Sequence, residues 1–255
     1  MIYTVFADIS SFDTEQILKR GALPRPEYIE KNEKQSLLLS PGIIETPMLT
    51  PEVIDRINKA TNPDVKKQRC SSYLLLCALC NKALGYVPKI TWTNSGKPKF
   101  VNNSLYFNIS HTNGIVAVSI SDEGAVGVDV EGLIDEARAA RLEKRFFSEL
   151  SISDRPLSVC YYVCRFLDDG MAELVCIDKD NEENADSEDS SIEFKRIHSS
   201  EHFSAKWTLY EASLKCDGGG FISLPCLNML LLECKADLRK FKIADKEYYL
   251  TTAGR

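Results

Sequence analysis

Apolar and polar positions follow a rhythm that changes several times along the 255 residues. Met1-Ile-Tyr-Thr-Val-Phe-Ala-Asp8 reads as a first strand. A stretch punctuated by Pro24, Pro26, Pro41, Gly42, Pro47, Pro51 and Pro63 follows, with a helix predicted near 51–60. Gln68 to Leu84 is apolar on most sides, as in a buried helix, and Gly85 stands where a left-handed residue would end it. A short strand around Lys89 to Thr93 leads into a hydrophilic turn, Asn94-Ser-Gly-Lys-Pro98. Leu105 to Ile109 and Ile115 to Ser121 are apolar runs of strand length. Ser110-His-Thr-Asn-Gly114 separates them, and Asn113-Gly114 is a strong turn signal.

Ala125 to Glu131 is a third β-branched run, and Ile134 to Phe147 turns helical. Val159 to Phe166 and Met171 to Ile177, joined through Asp168-Asp-Gly170, predict a hairpin. His202 to Lys215 returns to helical spacing, Gly218-Gly-Gly220 breaks it, and Lys240 to Thr251 alternates as a closing strand. This order predicts an α+β fold of two αβ halves, residues 1–124 and 125–255, meeting near 121–129.

Charge and cysteines narrow the class. The formal charge is −6, but residues 178–191 hold seven acids and Lys179, which accounts for all of it. The remainder is neutral, so no broadly basic face for nucleic acid is expected, and the acidic run reads as a solvated loop. Nine cysteines at irregular spacing, mostly in apolar runs and without a basic leader, predict reduced core thiols inside the cell. The apolar run Tyr73 to Cys80 is far short of the roughly 20 residues a bilayer span needs. A soluble, cytoplasmic protein is the expectation.

Three segments carry chemistry. On a strand, residues two apart face the same side about 6.6 Å from each other. Gly127-Val-Asp-Val-Glu131 therefore puts Asp129 and Glu131 on one face, with Val128 and Val130 toward the core. Such a carboxylate pair calls for a cation, and oxygen donors without Cys or His suit Mg²⁺. Taken alone, the plainer reading is a solvated strand face. In Trp207-Thr-Leu-Tyr-Glu-Ala-Ser-Leu-Lys215, Trp207, Glu211 and Lys215 stack on one side of a helix. Taken alone, that is a core anchor beside a surface ion pair. Phe107-Asn-Ile-Ser-His-Thr112 ends a buried strand. Ser110 and His111 point to opposite faces, which excludes a Ser-His nucleophile and favours hydrogen bonds to an anion.

With Gly96-Lys-Pro98 and Lys144-Arg-Phe-Phe-Ser148, these segments occur in an order that resembles the 4′-phosphopantetheinyl transferase superfamily, of the larger monomeric kind. The resemblance runs from about residue 66 to 150 and from about 200 to 221. It implies two pseudo-symmetric αβ halves with the active site at their interface. It implies transfer of phosphopantetheine from coenzyme A to a serine of an acyl or peptidyl carrier protein, releasing 3′,5′-adenosine diphosphate. Asp129, Glu131 and Glu211 would hold Mg²⁺, with Mn²⁺ an alternative, and Glu211, directly or through a metal-bound water, would take the serine proton. Lys215 would steady the phosphate, and Ser110 and His111 would contact phosphate. Gly96, Lys97 and Pro98 would lie beside the adenine, and Arg69, helped by Arg56 and Lys59, would meet the 3′-phosphate. A monomer is implied.

The chain departs from the family at Tyr210, where a lysine is common, in a longer segment between Phe147 and Trp207, and in its first 65 residues. Carrier proteins are acidic around the modified serine, so the loop at 178–191 is expected to point away from the docking face. Other readings are a non-catalytic relative that binds coenzyme A or a carrier, another Mg²⁺ enzyme of nucleotide diphosphates, and a structural zinc protein. The last would use Cys160, Cys164, His198 and His202, spaced as two zinc-ligand pairs.

Overall fold

The computed structural model describes residues 1–10, 12, 14, 15, 18, 37, 38, 49–94, 96–102, 104–147, 157, 159–166, 172–177, 200–218, 233–243 and 245–255. The acidic run and His198 lie outside them, and so does the expected orientation of that loop.

Ile2–Asp8 forms β1 and Leu37–Leu38 the short β2. Helix α1 (Pro51–Asn58) starts behind Thr50, whose side chain accepts from the Val53 N–H. Helix α2 (Pro63–Leu84) starts at Pro63 rather than Gln68, because Asn62 accepts from the N–H groups of Asp64 and Val65. Proline fits the first turn, where its missing N–H has no partner to lose. Gly85 closes the helix with φ 76°, as expected. Strands β3 (Ile90–Trp92) and β4 (Pro98–Phe100) form a hairpin. In β5 (Tyr106–Thr112) the strand continues through Ser110, His111 and Thr112, so the turn to β6 (Ile115–Ser121) is only Asn113 and Gly114, both at positive φ.

Then come β7 (Val126–Gly132), α3 (Glu136–Phe146) and the predicted hairpin of β8 (Val159–Phe166) and β9 (Ala172–Ile177). Helix α4 spans Ser200–Asp217. The closing strand expected over 240–251 is instead the middle of a hairpin, β10 (Lys235–Ile243) and β11 (Lys246–Gly254). The alternation continues on both sides of Ile243-Ala-Asp-Lys246, which has no glycine or proline to signal the reversal.

Two sheets stack. The larger runs β2-β9-β8-β1-β6-β5, with β1 parallel to β8, and the smaller runs β10-β11-β7. Alternation in β1 explains the layering. Val5 and Ala7 join the core beneath α2, while Ile2 and Phe6 join Val126, Val128, Val130, Tyr248 and Leu250 between the sheets. Helix α4 covers the other side of the small sheet, which gives the layers α2, large sheet, small sheet, α4. Buried Thr4 ties the sheets through hydroxyl contacts to Ser119 (2.6 Å) and Thr252 (2.9 Å). Strands from before and after residue 124 share the larger sheet. Among the described residues no helix is long and apolar enough to cross a membrane.

Candidate active site

Strands β5 and β7 are edges of different sheets, and an edge buried away from water must find partners for its open N–H groups. Two residues of β5, Asn108 and Ser110, supply them. Asn108 Oδ1 accepts from the Val128 N–H and Ser110 Oγ from the Val130 N–H, each at 3.3 Å. Thr112 Oγ1 donates to Glu131 Oε1 at 3.1 Å. The polar ladder 108-110-112 thus fastens the two edges together.

Helix α4 lies directly on β7. A Cβ on Gly127 would stand 1.9 Å from the Ala212 carbonyl oxygen, so only glycine permits this approach. The helix meets the sheet with the buried stripe Ser204, Thr208, Ala212 and Cys216. Ser204 Oγ accepts from the Ile134 N–H at 2.8 Å, and the Thr208 and Thr251 hydroxyls meet at 2.9 Å. Trp207 is buried among Phe146, Phe147, Phe203 and Tyr210, so the two phenylalanines of the Lys144-Arg-Phe-Phe segment serve as the aromatic seat of α4. Tyr210 is buried in that seat and lies away from the Glu211–Lys215 face.

The approach brings Glu211 and Lys215 over Asp129. The Asp129 side chain is 6% exposed. Its Oδ1 accepts from Ser110 Oγ at 2.8 Å and from Lys215 Nζ at 2.5 Å, while Oδ2 is buried with no partner among the described residues. Lys215 Nζ also donates to Ser110 Oγ at 3.1 Å and lies 3.5 Å from Glu211 Oε2. Loss of water, then the charge of Asp129, pushes the Glu211 carboxyl above the usual carboxylate range; Glu131 adds to this and Lys215 opposes it. Glu131 is gripped by both terminal nitrogens of Arg138, at 3.1 and 3.4 Å. His111 is held below the ordinary imidazole range by loss of water and then by the Lys215 charge.

A cleft of about 390 Å³ opens beside this group, lined by Lys97, Pro98, Asn108, Glu211, Lys215 and Gly218. The size suits a small-molecule ligand. Of the residues singled out from sequence, Lys97, Pro98, Glu211 and Lys215 face it directly, and Asp129 and Ser110 reach it through Lys215. Gly96, Arg56 and Arg69 form a neighbouring chain: Arg69 Nη1 donates to the Arg56 carbonyl at 3.3 Å, and Arg56 Nη2 to the Gly96 carbonyl at 3.2 Å. Lys59, Arg56 and Trp92 line a second hollow of about 440 Å³.

Whether a hard cation suits this site is decided by its donors. They are all carboxylate oxygens, one of them orphaned and buried, and Glu211 senses the negative charge of both Asp129 and Glu131. As placed, no three His, Cys, Asp or Glu side chains among the described residues gather closely enough to hold a metal ion. The Lys215 ammonium fills the position between Asp129 and Glu211. The oxygen-only donor chemistry is of the kind that suits magnesium. Zinc does not fit its expected ligands: Cys160 and Cys164 are four residues apart on β8, about 13 Å along a strand, too far to share one ion.

No family model matches the chain. It is 39% identical over 64 residues to the 4′-phosphopantetheinyl transferase AcpT of Salmonella typhi, covering 25% of this chain and 33% of that one. The AcpT of Escherichia coli O157:H7 is 38% identical over 72 residues, 28% and 37% of the two chains. A Synechocystis protein whose name proposes the same activity is 28% identical over 107 residues, 40% and 44%. The matched stretches span a third to less than half of these relatives. They support a place in the 4′-phosphopantetheinyl transferase superfamily.

Of the residues that carry the superfamily resemblance, the cleft and its ion-pair cluster bring together Lys97, Pro98, Ser110, Asp129, Glu211 and Lys215. Arg69 and Gly96 stand at one remove. Sequence reasoning missed Arg138, Asn108, Thr112 and the packing role of Gly127. Asn108-x-Ser110-x-Thr112 was visible as a polar alternation between Phe107 and Ile109, which signals a strand face with polar work. Arg138 left no local signal, since its pairing with Glu131 depends on where α3 docks.

Proposed function

We propose that the protein transfers the 4′-phosphopantetheine group of coenzyme A to a serine of an apo acyl or peptidyl carrier protein, in a Mg²⁺-dependent reaction that releases 3′,5′-adenosine diphosphate. The observation that carries this reading is the Asp129–Lys215–Glu211 cluster at the wall of the cleft, with Lys97 facing the same space. The two lysines present positive charge to a diphosphate. Asp129, Glu131 and Glu211 would hold the metal; magnesium, when bound, supplies charge that offsets the transferring phosphoryl oxygens.

In the reaction the serine oxygen bonds to the phosphorus next to pantetheine, and the anhydride bond to the adenosine-side phosphate breaks. Glu211, desolvated and beside other carboxylates, accepts the serine proton. Lys215 would stabilise charge building on the leaving 5′-phosphate oxygen of the released adenosine 3′,5′-diphosphate, and Ser110 keeps Asp129 oriented. His111 and Arg69 would meet the phosphates of coenzyme A, and Gly96 to Pro98 its adenine. The halves 1–124 and 125–255 belong to this reading, as do a cytoplasmic monomer and the absence of nucleic acid among its partners.

Incubation with coenzyme A, Mg²⁺ and a panel of apo carrier proteins, read by intact mass, tests it. One carrier gains a phosphopantetheine, and the gain is lost in Asp129→Ala and in Glu211→Ala while circular dichroism stays native. Full activity in either variant removes the metal-ligand assignment. Coenzyme A binding without transfer to any carrier would favour a non-catalytic relative.

A further inference from the structure

We infer that Lys215 occupies the divalent-cation position in the metal-free protein and must swing out before the ion enters. This deepens the proposed function and rests on its metal site. The Lys215 ammonium contacts Asp129 Oδ1 at 2.5 Å and Ser110 Oγ at 3.1 Å, and stands 3.5 Å from Glu211 Oε2. Two acids of the expected metal set thus share one lysine, and a cation of either kind satisfies the same oxygens. A metal and an ammonium cannot both sit there, because like charges at such a distance repel strongly in a partly buried site.

The surroundings allow the exchange. Asp129 Oδ2 is buried and unpartnered among the described residues, so the lysine leaves one oxygen of its main acceptor unsatisfied. A divalent ion can engage both carboxylates more fully. Lys215 is 29% exposed, whereas Asp129 is 6% exposed, so the lysine is the member of the pair with room to move. It also lines the cleft, so the displaced ammonium arrives where a diphosphate would bind. Metal entry would then free the lysine from its resting carboxylates and present it to the phosphates, ordering metal before full anion affinity. Arg138 neutralises the third acid of the metal set: it pairs with Glu131 and not with Asp129 or Glu211, so the cation shared by Asp129 and Glu211 is Lys215.

The test is Mn²⁺ binding to the free protein, followed by calorimetry and by thermal melting, with neither coenzyme A nor carrier present. In Lys215→Met, which keeps the chain length but not the charge, Mn²⁺ binds on the order of tenfold more tightly than in wild type. Without metal this variant melts below wild type, since Asp129 and Glu211 lose their shared cation, and Mn²⁺ raises its melting temperature more than it raises that of wild type. Lys215→Arg, which retains the charge, keeps the wild-type metal affinity or weakens it. A merely structural lysine gives the lower melting temperature without the larger metal rescue. Equal or weaker Mn²⁺ binding in Lys215→Met overturns the inference, as does binding too weak to detect in all three proteins. Carrier modification by the wild type in the separate transfer assay would leave the function standing even then.

Discussion

Ser110 Oγ has one proton to give and two lone pairs, and the protein engages all three: it donates to Asp129 and accepts from Lys215 and from the Val130 N–H. A hydroxyl so engaged is placed to hold its neighbours, a role set beside the phosphate contact expected from the sequence. Ser110→Ala strips a hydrogen bond from a buried carboxylate, a loss of about 1.5–3 kcal/mol, measurable as a lower urea midpoint. It is expected to lower kcat while leaving KM for coenzyme A nearly unchanged, because Asp129 loses its orientation while the cleft keeps its lysines. A raised KM with unchanged kcat would favour the phosphate-contact role. Lys215→Ala likewise slows turnover more than it weakens coenzyme A binding; an unchanged turnover number contradicts that. At this scale much was legible: spacing alone paired Asp129 with Glu131 and Glu211 with Lys215. The Asp129–Lys215 contact was not, since it joins residues 86 apart in the chain and depends on how α4 crosses β7.

That crossing is decided at the element scale by Gly127. Two glycine substitutions separate its packing role from backbone conformation. In Gly127→Ala the new methyl meets the backbone of Ala212 and Cys216, at 1.9 and 2.5 Å, and backbone cannot step aside as a side chain can. The helix must lift, at a cost of about 3 kcal/mol, and it carries Glu211 and Lys215 with it. The variant therefore melts lower and loses carrier modification together. In Gly114→Ala nothing lies within 4 Å of the new methyl, and the strain is only that of φ 87°. It should lose about 1–2 kcal/mol and keep its activity. Retained transfer in Gly127→Ala would mean α4 need not touch β7. Element types were largely readable because apolar period and turn chemistry are local. Boundaries failed where a cap outweighed the apolar pattern, as at Asn62, or where a tight reversal had no glycine, as between β10 and β11.

Whole-molecule pairing is the part that local pattern could not supply. Nothing in Ile2–Asp8 says that it will sit between β6 and a parallel β8, or that the edges of two sheets will be joined by Asn108, Ser110 and Thr112. Because β8 and β9 complete the sheet begun by β1 and β6, and because the core between the sheets draws on both ends of the chain, the molecule should unfold as one cooperative unit. The cysteines of α2 offer a test. Burial pushes the Cys70 and Cys77 thiols up to about 12 and raises that of Cys80, so almost no reactive thiolate exists at neutral pH. N-ethylmaleimide is expected to spare all three in the native protein and to label the half-buried Cys160. In a urea series read by peptide mass, the three should become reactive together. Their midpoint should match the fluorescence transition of Trp207, isolated by Trp92→Phe, because Trp207 reports on the opposite layer. Labelling of Cys77 at urea concentrations where Trp207 is still native would mean that α2 and its sheet open on their own, and the two-sheet core would then be a contact between separate folding units.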